Sequence, residues 1–312
     1  MSKLSLYSIF HGNLNYSSIP QESFHEIIDT CYWPILDAIK NLNFKTGIEF
    51  PVNTLNKIQK IDPLFIEELK KLITQKKCEF IFSGKEQIVS PLIPKEINER
   101  NLNHGFKEIK RFFPTKPQIA YVHEQIFSNG LIPIYLKSKF KNIMIIYETA
   151  SQTWNLNKKQ NFSPIKIKSN EGQLNVIWNS RNAYQNFQKY VSGKTKKHAY
   201  LDFILKNKKL EDTCFPFYGS DMEIFGYKNP VLGLKGNRDG VKRFYDILDE
   251  IKKYNELDFV LPSDLMNIFP PSKTIKICSA KYPILGKKEE SVVTRWAVCG
   301  RDNSKSNSIC YQ

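Results

Sequence analysis

The residues with catalytic potential follow predicted strands. Asp221 and Glu223 come just after a buried run of aromatic and β-branched residues at 213–218. Burial among aromatic side chains removes water from a carboxylic acid and raises its pKa. An acid that keeps its proton near neutral pH can serve as a general acid. The simpler interpretation is a solvated loop whose aspartate caps a helix, so the rest of the chain must decide between the two.

Polar side chains also follow the other predicted strands. In a (β/α) barrel the carboxyl ends of all strands meet on one face, where active sites lie. A single histidine there is commonly structural, but several acids would repel one another without a function. The pattern therefore predicts a carboxylate site built from His11, Asn13, Glu49, residues 83–87, His123, Glu124, Asp221, Glu223 and Ser263.

The elements that must position these residues alternate between strands and helices. Apolar runs predict strands over residues 4–10, 45–50, 78–82, 118–122, 142–147, 213–218 and 259–261, with helical periodicity between most of them. This alternation indicates a parallel α/β sheet, and about seven units suit a closed or nearly closed (β/α) barrel. An open doubly wound sheet is the alternative. Neither a GxGxxG motif after the first strand nor a Walker loop occurs, so no nucleotide cofactor is predicted.

The predicted barrel domain covers residues 1–270 and carries a less regular insertion, with a hairpin, around residues 148–180. Residues 271–312 form a C-terminal extension, read as the possible start of a helical domain. Within the barrel domain, Pro34 is expected to kink or split a helix over residues 21–42, because proline lacks the backbone N–H.

The charge is strongly basic, with 46 Lys and Arg against 31 Asp and Glu and a net charge of +15. The lysines are scattered in pairs, which favours a solvated surface over a nucleic-acid partner. The six cysteines form no CxxC pair, so no zinc site is predicted. The sequence shows no signal-peptide core and no apolar run of membrane length, so we expect a cytoplasmic protein with reduced thiols and no membrane partner.

Five motifs occur in order along nearly the whole chain and together resemble glycoside hydrolase family 57. They are His11-Gly12-Asn13; residues 78–84 (CEFIFSG) with residues 91–94 (PLIP) beyond; residues 121–124 (YVHE); residues 220–226 (SDMEIFG); and residues 295–302 (RWAVCGRD). The resemblance implies an incomplete seven-stranded (β/α) barrel and a retaining mechanism on α-glucans, as in amylases, 4-α-glucanotransferases, branching enzymes and pullulanases.

The resemblance also implies roles for single residues. By this resemblance Glu124 is the nucleophile and Asp221 is the acid/base. His11 is expected to contact the sugar. The glutamate of the second family motif falls on Glu79. The first motif departs from the family's usual His-Gln-Pro, because Gly12 and Asn13 follow the histidine here.

Further candidates could bind the substrate. Glu223 is expected to bind a sugar hydroxyl or a backbone amide rather than to do chemistry. Tryptophan rings can stack on sugar faces, although core packing is an equal alternative for each of them. The other predicted substrate-binding residues are Asn13, His123, Trp154, Trp178, Trp296 and Asp302.

Two other functions compete with a retaining glycosidase or transglycosidase. A metal-dependent polysaccharide deacetylase shares a related barrel but needs an HxxxH pair, which the five histidines do not supply. A catalytically inactive glycan-binding relative would keep the barrel without the chemistry. The glycosidase or transglycosidase hypothesis needs no metal or cofactor. It predicts that Glu124 and Asp221 lie at neighbouring strand ends and face each other across a cleft.

Overall fold

Strands and helices alternate through the structure, a computed structural model that describes residues 2–15, 19–154, 156, 162–209, 211–227, 239–271 and 273–276. The strands are β1 Leu4–His11, β2 Thr46–Glu49, β3 Cys78–Ile81, β4 Ile119–Tyr121, β5 Asn142–Ile146, β6 Ile165–Ser169, β7 Gly172–Asn179, β8 Thr213–Asp221, β9 Leu257–Phe259 and β10 Thr274–Lys276. The α-helices are α1 Phe24–Ile27, α2 Trp33–Asn41, α3 Val52–Ile61, α4 Pro63–Thr74, α5 Lys95–Ile109, α6 Ile132–Lys137, α7 Tyr147–Thr153, α8 Arg181–Val191, α9 Lys197–Leu205, α10 Asp239–Ile251 and α11 Leu265–Ile268.

Seven parallel strands stand side by side in the order β8, β1, β2, β3, β4, β5, β7. A bridge between Phe82 and Ala120 joins β3 to β4. Among the described residues no ladder joins β7 to β8, and the amide of Asn179 instead donates to the Gly219 carbonyl over 2.7 Å. The sheet is therefore an incomplete seven-stranded (β/α) barrel, and the predicted fold class is confirmed.

The membership of the barrel differs from the expectation in one strand. The predicted hairpin is present, since β6 and β7 pair antiparallel with Ile167 opposite Leu174. However, β7 also pairs in parallel with β5, so it is a barrel strand as well as part of an insertion. The last predicted strand, β9, instead pairs with the first residues of β1, Leu4 facing Leu257, and with no other described strand.

Aromatic side chains fill the space between the barrel and the helices behind β1 and β8. The ring of Phe10 lies 4.9 Å from that of Tyr218 and 5.7 Å from that of Phe244, measured between centroids. Phe225, in the turn Met222–Phe225 after β8, packs on Phe244 at 5.1 Å. Because Phe10 and Phe225 are fully buried, the turn that follows Asp221 is anchored to the core.

A π-helical turn, Ile28–Tyr32, separates α1 from α2, and Pro34 lies in the first turn of α2. Proline cannot donate the backbone hydrogen bond that a continuous helix would need. The prediction that Pro34 interrupts this helix is confirmed. The interruption brings Tyr32 to the loop after β8, where its hydroxyl donates to Glu223.

The proposed division at residue 270 stays a prediction, because residues 277–312 lie outside the described residues. Trp296 and Asp302 therefore have no described position. In the part of the chain that is described, no helix combines the length and the apolar character needed to cross a membrane.

Candidate active site

Three ionisable residues lie side by side where the strands β8, β1 and β2 end. His11 is in register with Asp221 on one side and with Glu49 on the other. Residues in register on neighbouring parallel strands project from the same face of the sheet. Nδ1 of His11 is hydrogen-bonded to Oε2 of Glu49, and the Ser83 hydroxyl donates to Oε1. This row of side chains forms one wall of the candidate site.

Gly12 follows His11 because nothing larger fits there. A Cβ at this position would lie 2.3 Å from Cε1 of Phe50 and 3.0 Å from the ring of Tyr32. Both aromatic rings are fully buried and pack against each other at 5.1 Å. The glycine in this motif is thus explained by the close approach of the Phe50 ring to the backbone.

Glu124 projects from a strained turn directly after β4. Its backbone has φ 53° and ψ 8°, and Gln125 follows with φ 57°. The left-handed region costs about 1–3 kcal/mol for a residue with a side chain, and such strain clusters at functional sites. The amide groups of Gln125 hold the turn, because its backbone N and its Nε2 both donate to the Val122 carbonyl, at 2.9 and 3.0 Å.

A directed chain of amide hydrogen bonds reaches Glu124. The backbone N of Asn15 donates to Oδ1 of Asn13 over 2.9 Å, so the Asn13 amide nitrogen points the other way. That nitrogen donates to Oε1 of Gln87, and Nε2 of Gln87 donates to Oε1 of Glu124 over 2.8 Å. Because a backbone N–H can only donate, the orientation of both side-chain amides follows from the first bond.

Glu223 is held under Asp221 by two donors. The backbone N of Asn13 donates to its Oε1 over 3.0 Å, and the Tyr32 hydroxyl donates to the same oxygen over 2.6 Å. Burial, and then the neighbouring Asp221 charge, raise the pKa of Glu223. Its fixed position supports the prediction that Glu223 serves in binding or support.

Asp221 stands at the rim, with an exposed side chain inside the concave end of the barrel. The surrounding protein removes water from its carboxyl and raises its pKa, Glu49 adds to this rise, and the His11 charge opposes it. This environment favours the protonated acid.

Glu124 and Asp221 both lie at the carboxyl end of the barrel, Glu124 after β4 and Asp221 as the last residue of β8. Burial raises the pKa of Glu124, and the Asp221 charge raises it further, while the His11 charge and the Gln87 hydrogen bond lower it. Strands β1, β2 and β3 stand between β8 and β4 in the sheet order. The expectation of neighbouring strand ends was therefore wrong, because the order of strands along the chain does not give their order in the sheet.

His123 is a buried imidazole beside this cluster. Its ring centroid lies 6.3 Å from that of His11 and 6.0 Å from that of Tyr121. Neither ring nitrogen has a hydrogen-bond partner among the described residues. Burial lowers its pKa to about 4, so the ring is neutral and can offer one donor and one acceptor.

The family follows from a comparison with known proteins. The family model described as glycosyl hydrolase family 57 matches residues 9–278. The chain belongs to this family. A search of curated protein sequences finds no match.

Solved structures of similar fold include three enzymes. A 4-α-glucanotransferase from Thermococcus litoralis has a TM-score of 0.76 and 14% identity, over 90% of this chain and 43% of that one. A branching enzyme from Pyrococcus horikoshii has a TM-score of 0.65 and 12% identity, over 91% of this chain and 73% of that one. The α-amylase AmyC from Thermotoga maritima has a TM-score of 0.67 and 11% identity, over 89% of this chain and 77% of that one. At these identities the likeness shows the fold alone, and this family 57 chain spans less than half of the glucanotransferase.

Glu79 is not brought to the cluster. It projects from β3 four residues before Ser83, which corresponds to about 13 Å along an extended strand. Its Oε1 instead accepts the backbone N–H of Ser263 over 2.7 Å, and burial raises its pKa to about 7. Glu79 thus lies deeper in the barrel than Ser83, whose hydroxyl donates to the Glu49 carboxylate.

The two described candidate tryptophans pack against the core and against each other. Trp178 is fully buried, its Nε1 donates to the Ser163 carbonyl over 3.0 Å, and its ring lies 6.2 Å from that of Trp154. Trp154 is half-buried and also contacts Phe127 edge-on at 6.3 Å. Trp178 has no face open to a sugar, whereas Trp154 keeps partial exposure.

One residue of the site, Tyr32, was not predicted there. Glu49 and Gln87 belong to the strand-end set that the sequence predicts, although no individual role was assigned to them. Ser83 lies in the same strand-end run as Gln87. Tyr32 comes from a helix, so only the fold could reveal that its hydroxyl reaches Glu223.

The described residues contain no group of three or more His, Cys, Asp and Glu side chains arranged to hold a metal ion. The ligand set that a metal-dependent deacetylase requires is thus not assembled by this part of the chain. His11 and Glu49 are committed to each other rather than to an ion.

Proposed function

We propose that this chain is a retaining glycosidase or transglycosidase that acts on α-glucans through a covalent glycosyl-enzyme. One observation carries the proposal: Glu124 follows β4 and Asp221 ends β8, both at the carboxyl end of the barrel, and the Asp221 charge acts on the Glu124 carboxyl. A retaining enzyme needs two carboxyl groups on either side of the scissile bond, about 5–5.5 Å apart. The names of the three similar enzymes support α-glucans as the substrate class.

Glu124 is the proposed nucleophile. Its carboxylate would attack the anomeric carbon, so that a new C–O bond to the enzyme forms while the bond to the leaving oxygen breaks. The Gln87 amide donates to one carboxylate oxygen and thereby favours the ionised form. The strained turn holds the side chain in place, which limits the motion that must be lost on reaction.

Asp221 is the proposed acid/base. It would donate its proton to the leaving oxygen and later remove a proton from the acceptor, which is water in hydrolysis and a sugar hydroxyl in transfer. Its neighbours support this role, since Glu49 and Glu223 are carboxylates on its own side of the site. Glu124 receives a hydrogen bond from an amide, whereas Asp221 lies beside other carboxylates. These different environments support different roles for the two acids.

The polar groups around the two acids would bind sugar hydroxyls. His11 and Asn13 stand on the β1 wall, and no described residue takes up the donor or the acceptor of the His123 ring. Within the described part of the chain, both donors to Glu223 bind Oε1, which leaves Oε2 for a substrate hydroxyl. Trp154 is proposed as a sugar platform on the strength of its partial exposure alone.

Product analysis with maltoheptaose tests this proposal. Shorter oligosaccharides alone would indicate hydrolysis, and longer products beside shorter ones would indicate transfer. Glu124→Gln, which keeps the shape and removes the charge, should abolish both, whereas Glu67→Gln at an exposed position should not. The absence of any product from the wild-type protein would contradict the proposal.

The same assay separates the deacetylase alternative. We expect unchanged turnover in EDTA, because neither proposed role needs a metal ion. Loss of turnover in EDTA, with recovery on addition of zinc, would favour metal-dependent chemistry instead.

A further inference from the structure

Glu49 ends β2 with a side chain that is entirely enclosed by protein. A buried carboxylate costs several kcal/mol unless partners replace its water. Here Oε2 is bonded to Nδ1 of His11, and Oε1 accepts the Ser83 hydroxyl. The Glu49 carbonyl also accepts the backbone N–H of Gly12 over 3.0 Å, which fixes the register of the two strand ends. Glu49 therefore holds His11 through its side chain and the next residue, Gly12, through its backbone.

The charges around His11 are mostly negative. Burial by itself lowers the pKa of His11, but Glu49 above all, and then Asp221 and Glu223, raise it to about 10. His123 on the facing wall is neutral, since burial lowers its pKa to about 4. The groups that face His11 are Glu49 from β2, Asp221 and Glu223 from β8 and its turn, and Tyr121, His123 and Glu124 from β4 and its turn.

A charged His11 has two consequences for the site. Its Nδ1 is occupied by Glu49, so Nε2–H is a donor only and can bind a substrate oxygen but cannot take a proton. Its positive charge also lowers the pKa of Glu124 and of Asp221. Because a protonated Glu124 cannot attack, the charge on His11 extends to lower pH the range in which the nucleophile is ready.

We propose that Glu49 is a positioning residue that keeps His11 a fixed, charged donor to the substrate and thereby keeps Glu124 ionised. The inference rests on the proposed function, since it assigns Glu49 a part in the same reaction. It adds that the buried ion pair between Glu49 and His11 keeps the end of β1 positively charged. A purely structural Glu49 would hold the strand ends together without setting the charge of His11.

The first test observes His11 directly and needs no turnover. In ¹⁵N-histidine-labelled wild-type protein, the two ring nitrogens of His11, assigned with His11→Gln, should show the imidazolium pattern at pH 7.5 and keep it at pH 8.5. In Glu49→Gln the same ring should become neutral by pH 7.5, because the partner is no longer charged. Glu68→Gln, which removes from α4 the carboxylate that pairs with Lys40 on α2, should leave the His11 signals unchanged.

The second test follows turnover of maltoheptaose against pH. Glu49→Gln should lower kcat/KM by about tenfold or more, as expected for the loss of a charge-assisted hydrogen bond. It should also move the acid limb of the profile to higher pH, which loss of packing alone would not do. Glu68→Gln should change neither the rate nor the limb.

The outcomes separate this inference from the proposed function. A neutral His11 at pH 7.5 in the wild-type protein, or a charged one in folded Glu49→Gln, overturns the inference whether or not the protein turns over glucans. If Glu49→Gln does not fold, the wild-type titration still decides, together with Ser83→Ala, which keeps the ion pair and should keep His11 charged. Turnover that fails while His11 titrates as expected would contradict only the glycosidase assignment.

Discussion

Nε2 of Gln87 lies 2.8 Å from Oε1 of Glu124 and donates a hydrogen bond to that carboxylate. The bond connects the segment after β3 with the strained turn after β4, two neighbouring strand ends. The other end of the Gln87 amide accepts from Asn13, so the amide cannot turn over without losing two bonds. Gln87 therefore fixes the carboxyl group of the nucleophile candidate.

The proposed roles of the two acids predict different responses to azide. Glu124→Ala should abolish turnover, and added azide should then enter from the vacated face and give a glycosyl azide of inverted configuration. Asp221→Ala should slow turnover by about 10²–10⁴-fold, and azide should intercept the glycosyl-enzyme with retained configuration. The anomeric configuration is read by NMR. Near-normal turnover by Glu124→Ala would show that the nucleophile is another residue, with Glu223 next to be tested.

Removal of the Gln87 amide should weaken the nucleophile without removing it. Gln87→Ala should lower kcat/KM by about tenfold or more, because a hydrogen bond to a charged group contributes about 1.5–3 kcal/mol. The acid limb of the pH profile should move to higher pH, since that bond favours ionised Glu124. Gln118→Ala, at an exposed position before β4, is the control. If kcat/KM falls as expected but the acid limb of the pH profile does not move, Gln87 acts on substrate binding instead.

The close approach at Gly12 predicts a local packing effect. Gly12→Ala should destabilise the protein by about 1–3 kcal/mol, because the added methyl overlaps the buried Phe50 ring. Thermal unfolding measures the loss. Gly130→Ala is the matched control, because the nearest atom to its added Cβ is 3.8 Å away. The double variant Gly12→Ala with Phe50→Leu should lose less than the sum of the two single variants. Strict additivity would mean that the two positions do not clash.

The sequence predicted the barrel because its strands carry long apolar runs, and these remain readable without tertiary contacts. It assigned β7 only to an insertion, since a strand that pairs with both a hairpin partner and a barrel neighbour has no separate local signal. The site was partly predictable for the same reason: Glu124, Asp221 and His11 directly follow or end strands. Tyr32 lies in a helix, and Glu79 lies within a strand, so neither position could be placed from spacing alone.

The half-buried Glu79 predicts that the free energy of unfolding depends on pH in a direction opposite to that of most acids. Burial raises its pKa to about 7 in the folded protein, against an ordinary value of 4.5. Between these two values the folded protein keeps a proton that the unfolded chain has already released. Stability from this group is therefore fully present below pH 4.5 and is lost as the pH rises through 7.

Glu79→Gln should remove this dependence, because a neutral amide cannot titrate. Wild-type stability relative to this variant should fall by roughly 3 kcal/mol between pH 4.5 and 8, from a shift of about 2.5 pH units at 1.36 kcal/mol each. Urea unfolding at several pH values measures it, with Glu67→Gln at an exposed position of α4 as the control. A difference between wild type and Glu79→Gln that stays constant over this range would show that Glu79 ionises normally. The carboxyl would then be hydrated, and its bond to the Ser263 amide would need another explanation.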